Sequence, residues 1–478
     1  MSGEAAATRE PSHAGAAIVP TSRYTLSLVR QSDRSLVRGW LWLGLLALVV
    51  SGFYSILLVA SRTPGVNAWL PVADFFRVAL VVHVDLSVLV WFLALSGMLW
   101  SLSCRPRATP LAWLAMLLAY AGTLLIGIAP FVGGGEPIMA NYIPVLDGSV
   151  FLAGLGILGV AAALLVLRSL IAAPALGLEL DGSGALRFGL NASVVATAIA
   201  LVAFAASLWL TPASLEGKAY YEIAFWGGGH ALQFTWTLLM LVAWLWLASA
   251  VGARLPLSPR IALLLLALAL VSVFMTPYAY LAHDVATVEH RDLHTWAMRL
   301  GGGVAIVPIG LAVVVGLLRS PRSREAGHDA LRAALVASML LFAAGGVIGM
   351  FISGSNVKIP AHYHGCIVGV TLALMGLVYL LLPKLGYQTP QGRLAHWQPV
   401  LYGGGQLMHI IGLVWSGGYG VQRKVAGAEQ VLHSKAEIAG MGLMGLGGLI
   451  AIIGGLMFVV VVWNSLRGNA GKAARSLS

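Results

Sequence analysis

The chain is expected to fold as an all-α integral membrane protein, a bundle of twelve transmembrane helices, and three observations lead there. Apolar residues fill 59% of its 478 positions and charged residues only 10%, against about 25% charged in soluble domains. Mean hydropathy is +0.87. The apolar residues come in runs long enough to cross a hydrocarbon core of about 30 Å as helices. They are not the roughly ten-residue alternating segments of a barrel.

In chain order, residues 1–37 are polar, carry Arg9, Arg23, Arg30 and Arg34, and lack the apolar core of a signal peptide. The first span, 38–60, is therefore kept as a membrane helix. Span 2 (78–101) contains His83, and spans 3 to 5 (109–130, 144–167, 188–210) are apolar runs between polar loops. Span 6 (223–250) contains His230; span 7 (259–282) ends at His283; span 8 (295–318) contains Pro308. Span 9 is 331–353, span 10 (361–383) opens on His362 and His364, and spans 11 and 12 are 398–417 and 438–463. The tail from Arg467 to Ser478 is rich in Gly, Ala, Ser and Lys and is expected to be disordered. The domain reading is a cytoplasmic segment 1–37, a catalytic unit 38–465 and a tail 466–478.

Basic residues set the orientation. The N-terminus, the even-to-odd loops and the C-terminus hold 20 Lys and Arg against 9 on the opposite side, which places both termini in the cytoplasm. The net charge of +11 is thus accounted for by loop residues and needs no nucleic-acid partner. On this topology His83, His230, His283, His362 and His364 all fall within roughly the outer third of the bilayer at about 1.5 Å per residue. Ionisable residues inside a membrane are costly and mark functional sites. Five at one level suggest helices converging on buried metals.

The chain has two cysteines, Cys104 and Cys366, too few for a thiolate cluster or a disulfide framework, so metal chemistry here must use imidazole and oxygen. His362 and His364 are two apart on a helix and project about 200° from one another. One helix can therefore serve two metal centres. His83 can supply the second axial ligand to one of them, giving a six-coordinate haem suited to electron transfer. His230 and His283 are left for a non-haem metal beside the other, and neutral imidazole suits haem iron and copper alike.

These residues carry a resemblance that covers nearly the whole membrane region. The chain resembles the catalytic subunit I of the haem–copper oxidase superfamily, whose twelve helices bear histidines on spans 2, 6, 7 and 10. Ala361-His362-Tyr363-His364-Gly365 is similar to the family's tenth-helix motif. The resemblance implies two haems, one high-spin on His362 and one low-spin between His364 and His83, and one non-haem metal, copper or iron. Gly405-Gln406-Leu407-Met408-His409 through Gln422-Arg423-Lys424 is similar to the stretch that ends in two basic residues beside the haem propionates. Arg423 and Lys424 would take that role, a guanidinium being suited to bidentate carboxylate contact.

Two departures from the family pattern bear on the reaction. Where two adjacent histidines usually close the seventh span, this chain has His283-Asp284, which suggests a His230, His283 and Asp284 metal set with a harder oxygen donor. Alternatively, His290 or His294 from the following segment folds back as the third ligand; the plain reading of Asp284 is a solvated helix-end carboxylate, and that of His290 and His294 is loop residues. Secondly, many oxygen reductases of the family have a tyrosine four residues after the sixth-span histidine; here it is Phe234, and residues 255–274 contain no tyrosine. Tyr278, Tyr280 and Tyr363 leave a differently placed phenol open.

Rapid O–O cleavage draws an electron and a proton from such a phenol, whereas coupling two nitric oxide molecules needs two electrons and no such donor. The resemblance therefore leans to reduction of nitric oxide to nitrous oxide, with a cytochrome c oxidase type subunit reducing oxygen as the alternative. The inner halves of spans 6 and 7 are almost wholly apolar, while the outer segments hold Glu216, Lys218, Glu222, Glu289, Asp292, Lys358 and Glu437. Proton uptake from outside, with Glu222 as the first relay, and little pumping are expected. No haem-attachment Cys-x-x-Cys-His is present, so electrons would come from a cupredoxin-like or cytochrome c partner subunit. The location expected is the bacterial inner membrane. A proton-coupled transporter is the competing class, marked by discontinuous helices and an internal repeat, neither of which is evident in the sequence.

Overall fold

The computed structural model describes residues 23–26, 34–66, 73–176, 180–323, 325–425 and 430–468. Most of the segment 1–37 and of the tail 466–478 lies outside these residues. The described chain is a bundle of twelve membrane-length helices: α1 (Arg34–Arg62), α2 (Phe75–Ser103), α3 (Thr109–Val132), α4 (Ser149–Ile171), α5 (Gly182–Leu210), α6 (Gly217–Ala250), α7 (Pro259–Ala282), α8 (Val288–Arg319), α9 (His328–Met350), α10 (Lys358–Lys384), α11 (Gly392–Gly418) and α12 (Lys435–Arg467). A two-stranded antiparallel hairpin, β1 (Glu136–Ile138) with β2 (Val145–Asp147), fills the α3–α4 connection.

Eleven of the helices are long and apolar enough to cross a membrane by composition alone. The twelfth, α11, has 27 residues, about 40 Å at 1.5 Å per residue, but carries His396, Gln398, Gln406 and His409 among its apolar positions. It packs tightly against α12 through facing glycines. A β-carbon at Gly405 would lie 2.5 Å from the Ala451 backbone nitrogen, and one at Gly454 would lie 2.5 Å from that of Tyr402. Small residues let membrane helices approach this closely.

Two helices form the centre. In α6 and α10, 83% of the most apolar window is buried inside the protein, against 28% in α7 and α9. The central pair carries His230, His362 and His364. Peripheral helices present apolar side chains outward, as Trp209 on α5 and Leu281 on α7 do, which is the pattern of a bundle whose solvent is lipid.

Two local departures from regular helix matter for the site. In α2, Asp85–Val90 form a π-helical turn that starts two residues after His83, a feature that re-aims side chains and is common at functional sites. In α7 the ladder is interrupted at Phe274, because Pro277 lacks the N–H that would reach back to Val273. The seventh helix is therefore broken, unlike the continuous span read from the sequence. The eighth helix also begins at Val288 rather than 295: Thr287 caps it, its side chain accepting from the His290 backbone N–H at 3.3 Å.

Candidate functional site

Near the end of the bundle where even-numbered helices begin, three histidine rings meet. His230 comes from α6, and His290 and His294 from one face of α8, four residues apart. Ring centroids are 4.6 Å apart for His290 and His294 and 5.9 Å for His230 and His294. Each residue is at most 2% exposed. His230 donates Nδ1–H to the Trp226 carbonyl (2.9 Å) and His294 donates Nδ1–H to the His290 carbonyl (2.8 Å). Those bonds leave both Nε2 lone pairs facing inward. The Nε2 atoms of His290 and His294 are buried without a hydrogen-bond partner, which a native fold tolerates where a ligand belongs.

Among the described residues no three His, Cys, Asp or Glu side chains are already closed to coordination distance. The ring spacing still suits imidazoles converging on one ion with metal–nitrogen bonds of about 2 Å. Neutral, oriented imidazoles with orphaned Nε2 atoms fit a non-haem metal, and the backbone carbonyls supply the outer-shell acceptors that such ligands use.

The expected ligands His283 and Asp284 stand apart from this ring cluster. Asp284 is exposed and its Oδ1 accepts the Ala286 backbone N–H at 2.9 Å, so it shapes the turn into α8. His283 has extended backbone, φ −141° and ψ 146°, at the end of α7, and is only half-buried. Both act on His290 electrostatically without joining the ring cluster. The cause is the early start of α8, which makes 290 and 294 helical and inward-facing instead of loop positions. His290 and His294, each expected as an alternative third ligand, both lie in the cluster with His230, and His283 does not join it.

Beside His230 stands Tyr142, from the tip of the β hairpin. Its O–H donates to His230 Nε2 at 2.9 Å. Its backbone is left-handed, φ 42°, a conformation that strains a residue with a β-carbon. Its neighbour Asn141 donates to Glu222 Oε2 at 2.6 Å, and Lys424 Nζ donates to the Met139 carbonyl at 2.5 Å. The expected relay Glu222 and the expected propionate partner Lys424 thus both hold this hairpin. Burial, with the Glu222 carboxylate second, pushes the Tyr142 phenol up; burial, then Arg423, pushes the Lys424 ammonium down to about 8.

A second group gathers around α10. His364 faces His409 of α11 with centroids 5.0 Å apart, and His83 and Arg62 are close enough to act electrostatically on both. His83 donates Nδ1–H to the Ser51 carbonyl (3.1 Å) and lies 2.9 Å from Ser51 Oγ, so its Nε2 is free. His409 donates Nδ1–H to the Met444 carbonyl at 3.0 Å. On the other side of α10, His362 donates Nδ1–H to the Gly345 carbonyl at 2.7 Å. Gly345 and Gly349 of α9 form its cradle, a β-carbon at Gly349 falling 2.6 Å from the ring. Arg423 and Arg62 both act on Tyr363. His83 and His364 on one side of α10 and His362 on the other fit two haems. Asp85, two residues after His83, has both carboxylate oxygens buried and unpartnered.

His409, Arg62, Ser51 and Tyr142 were not singled out from the sequence. His409 is a histidine inside an apolar helix and carries the same signal as the other five. Arg62 closes an apolar span. Tyr142 has no sequence signal, because only the hairpin brings it to His230.

Fold and site together define a multi-pass membrane protein built around buried histidine pairs and triplets. The pattern of the family described as Cytochrome C and Quinol oxidase polypeptide I matches residues 35–457, and the chain belongs to that family. It is 30% identical over 501 aligned residues to an uncharacterised protein of Rickettsia prowazekii (strain Madrid E), covering 90% of this chain and 96% of that one. It is 27% identical over 363 residues to an uncharacterised protein of Aquifex aeolicus (strain VF5), covering 75% and 88%. A heme-copper terminal oxidase dimer solved by cryo-EM shares the fold, with TM-score 0.70 over 92% of this chain and 85% of that chain at 17% identity. The chain is thus a haem–copper superfamily oxidoreductase of the terminal respiratory class, a family that works with haems and a non-haem metal.

Proposed function

We propose that the chain is the catalytic subunit of a nitric oxide reductase, joining two nitric oxide molecules with two electrons and two protons to give nitrous oxide and water. The observation that carries this reading is Phe234, at 4% exposure in α6 four residues after His230, in the place where many oxygen reductases of the family have a tyrosine. Its ring packs beside Gly301 of α8, where an added β-carbon would lie 3.3 Å from it. From 238 to 248 α6 is apolar and buried throughout, which supports proton entry from the histidine end.

In this reading His83 and His364 hold the low-spin haem, His362 the high-spin haem, and His230, His290 and His294 the non-haem metal, copper or iron. The haem–metal pair, when bound, supplies the site at which the diatomic gas is reduced. The chain's own part is to orient the imidazoles through their Nδ1–H bonds, to exclude water with Trp226 and Tyr280, and to pass protons inward by way of Glu222. Arg423, Lys424 and Arg62 offer cations to the propionates. Electrons come from a cupredoxin-like or cytochrome c partner. Residues 38–465 act as one catalytic unit in a bacterial inner membrane, with both termini cytoplasmic as the Lys and Arg distribution supports.

One observation favours oxygen as the substrate: the Tyr142 phenol lies against His230. Anaerobic nitric oxide consumption and oxygen uptake by the purified enzyme with a reduced donor separate the two. Oxygen uptake at a rate far above nitric oxide turnover would reverse the proposal.

A further inference from the structure

Tyr142 is the one oxygen-bearing side chain hydrogen-bonded to a ring of the histidine triplet, among the described residues. The Nδ1–H of His230 is committed to Trp226, so the phenol oxygen occupies the lone-pair side of Nε2, the side on which a metal would bind. The orphaned Nε2 atoms of His290 and His294 are buried in the same cluster. The hairpin is held there from three directions. Lys424 binds Met139, Glu222 binds Asn141, and the phenol binds His230. Gly229 of α6 makes the room, since a β-carbon there would collide with the Tyr142 ring. The left-handed backbone at a residue other than glycine is strain that the surroundings impose to aim this side chain.

We infer that Tyr142 is the fourth protein donor to the non-haem metal, completing a three-imidazole, one-phenolate set with His230, His290 and His294. The inference rests on the three-histidine metal site proposed above. On ligation the O–H bond breaks, the oxygen–metal bond forms, and the proton leaves toward the solvent side past Glu222. No change of oxidation state is involved. A hard anionic oxygen beside three imidazoles favours iron over copper, so the oxygen donor expected at Asp284 is supplied from a different element. Tyr280, also near the triplet, is excluded from this role. Its O–H donates to the Ala203 carbonyl at 3.0 Å and pairs with Ser207 Oγ at 2.5 Å.

The test is resonance Raman spectroscopy of the oxidised enzyme, excited away from the Soret band, with normal and ring-deuterated tyrosine, alongside metal and haem analysis. Tyrosinate–metal modes that shift on deuteration, vanish in Tyr142→Phe and persist in Tyr280→Phe are expected. Affinity for added iron should fall in Tyr142→Phe by more than the roughly 10- to 100-fold typical of outer-shell partners. One non-haem metal per chain without such modes in the wild type overturns the ligation and leaves the three-histidine site standing. Absence of a non-haem metal from the wild type overturns both.

Discussion

Replacing Gly349 by alanine is a demanding test of how His362 is held. The added methyl would sit 2.6 Å from Nδ1, whereas ordinary contact begins at 3.4 Å, so the ring has to retreat by about 0.8 Å. Gly345, whose carbonyl accepts the Nδ1–H bond at 2.7 Å, lies one turn away on the same helix. Retreat from one lengthens the contact with the other, toward about 3.5 Å, where a hydrogen bond is lost. That loss costs about 0.5–1.5 kcal/mol, and a misplacement near 1 Å costs roughly 100-fold in rate. The expected result is turnover lowered by about 10- to 100-fold, with a weakened carbon monoxide difference spectrum from the high-spin haem and an intact low-spin spectrum. Gly346→Ala is the control. A β-carbon there meets nothing within 4 Å, and the exchange should stabilise the helix by about 0.5–1 kcal/mol. If Gly349→Ala bound carbon monoxide and turned over like Gly346→Ala, the cradle argument would be wrong.

His294→Ala should lose the non-haem metal and keep both haems, whereas Asp284→Ala should keep all three; the metal-to-haem ratio distinguishes them, and loss of metal in Asp284→Ala would restore the carboxylate ligand set. Glu222→Gln keeps an acceptor for Asn141 but cannot carry a proton, so turnover should drop by at least about tenfold with haem content unchanged; full activity would remove Glu222 from the route. In haem-depleted protein Lys424 should be charged below about pH 8 and neutral above it, because burial outweighs the pull of Glu222. Binding of a haem carboxylate should move that titration upward. Nuclear magnetic resonance of isotopically methylated lysines reads both states, and an unshifted titration would argue against a propionate partner.

The twelve helices were legible in the sequence because apolar length is a local property, and lipid demands it of each span independently. The tenth-helix histidines were legible too, since two positions on one helix fix their own divergence. Which histidines gather beside His230 was not settled from sequence. His283 and His290 are seven residues apart, and which one turns inward depends on where α8 is nucleated. Thr287 begins that helix early and puts His290 and His294 on its inner face.

His409 could have been read from its apolar surroundings, whereas Tyr142 could not. Its approach to His230 spans 88 residues and depends on a hairpin tip pinned by Lys424 and Glu222 from two other parts of the chain. Sequence alone determined which segments cross the membrane and which carry imidazole, since hydropathy and residue identity are properties of each segment in isolation. Tertiary structure decided which imidazoles lie side by side and which phenol reaches them, because helix starts and loop closure set distances that no single segment contains.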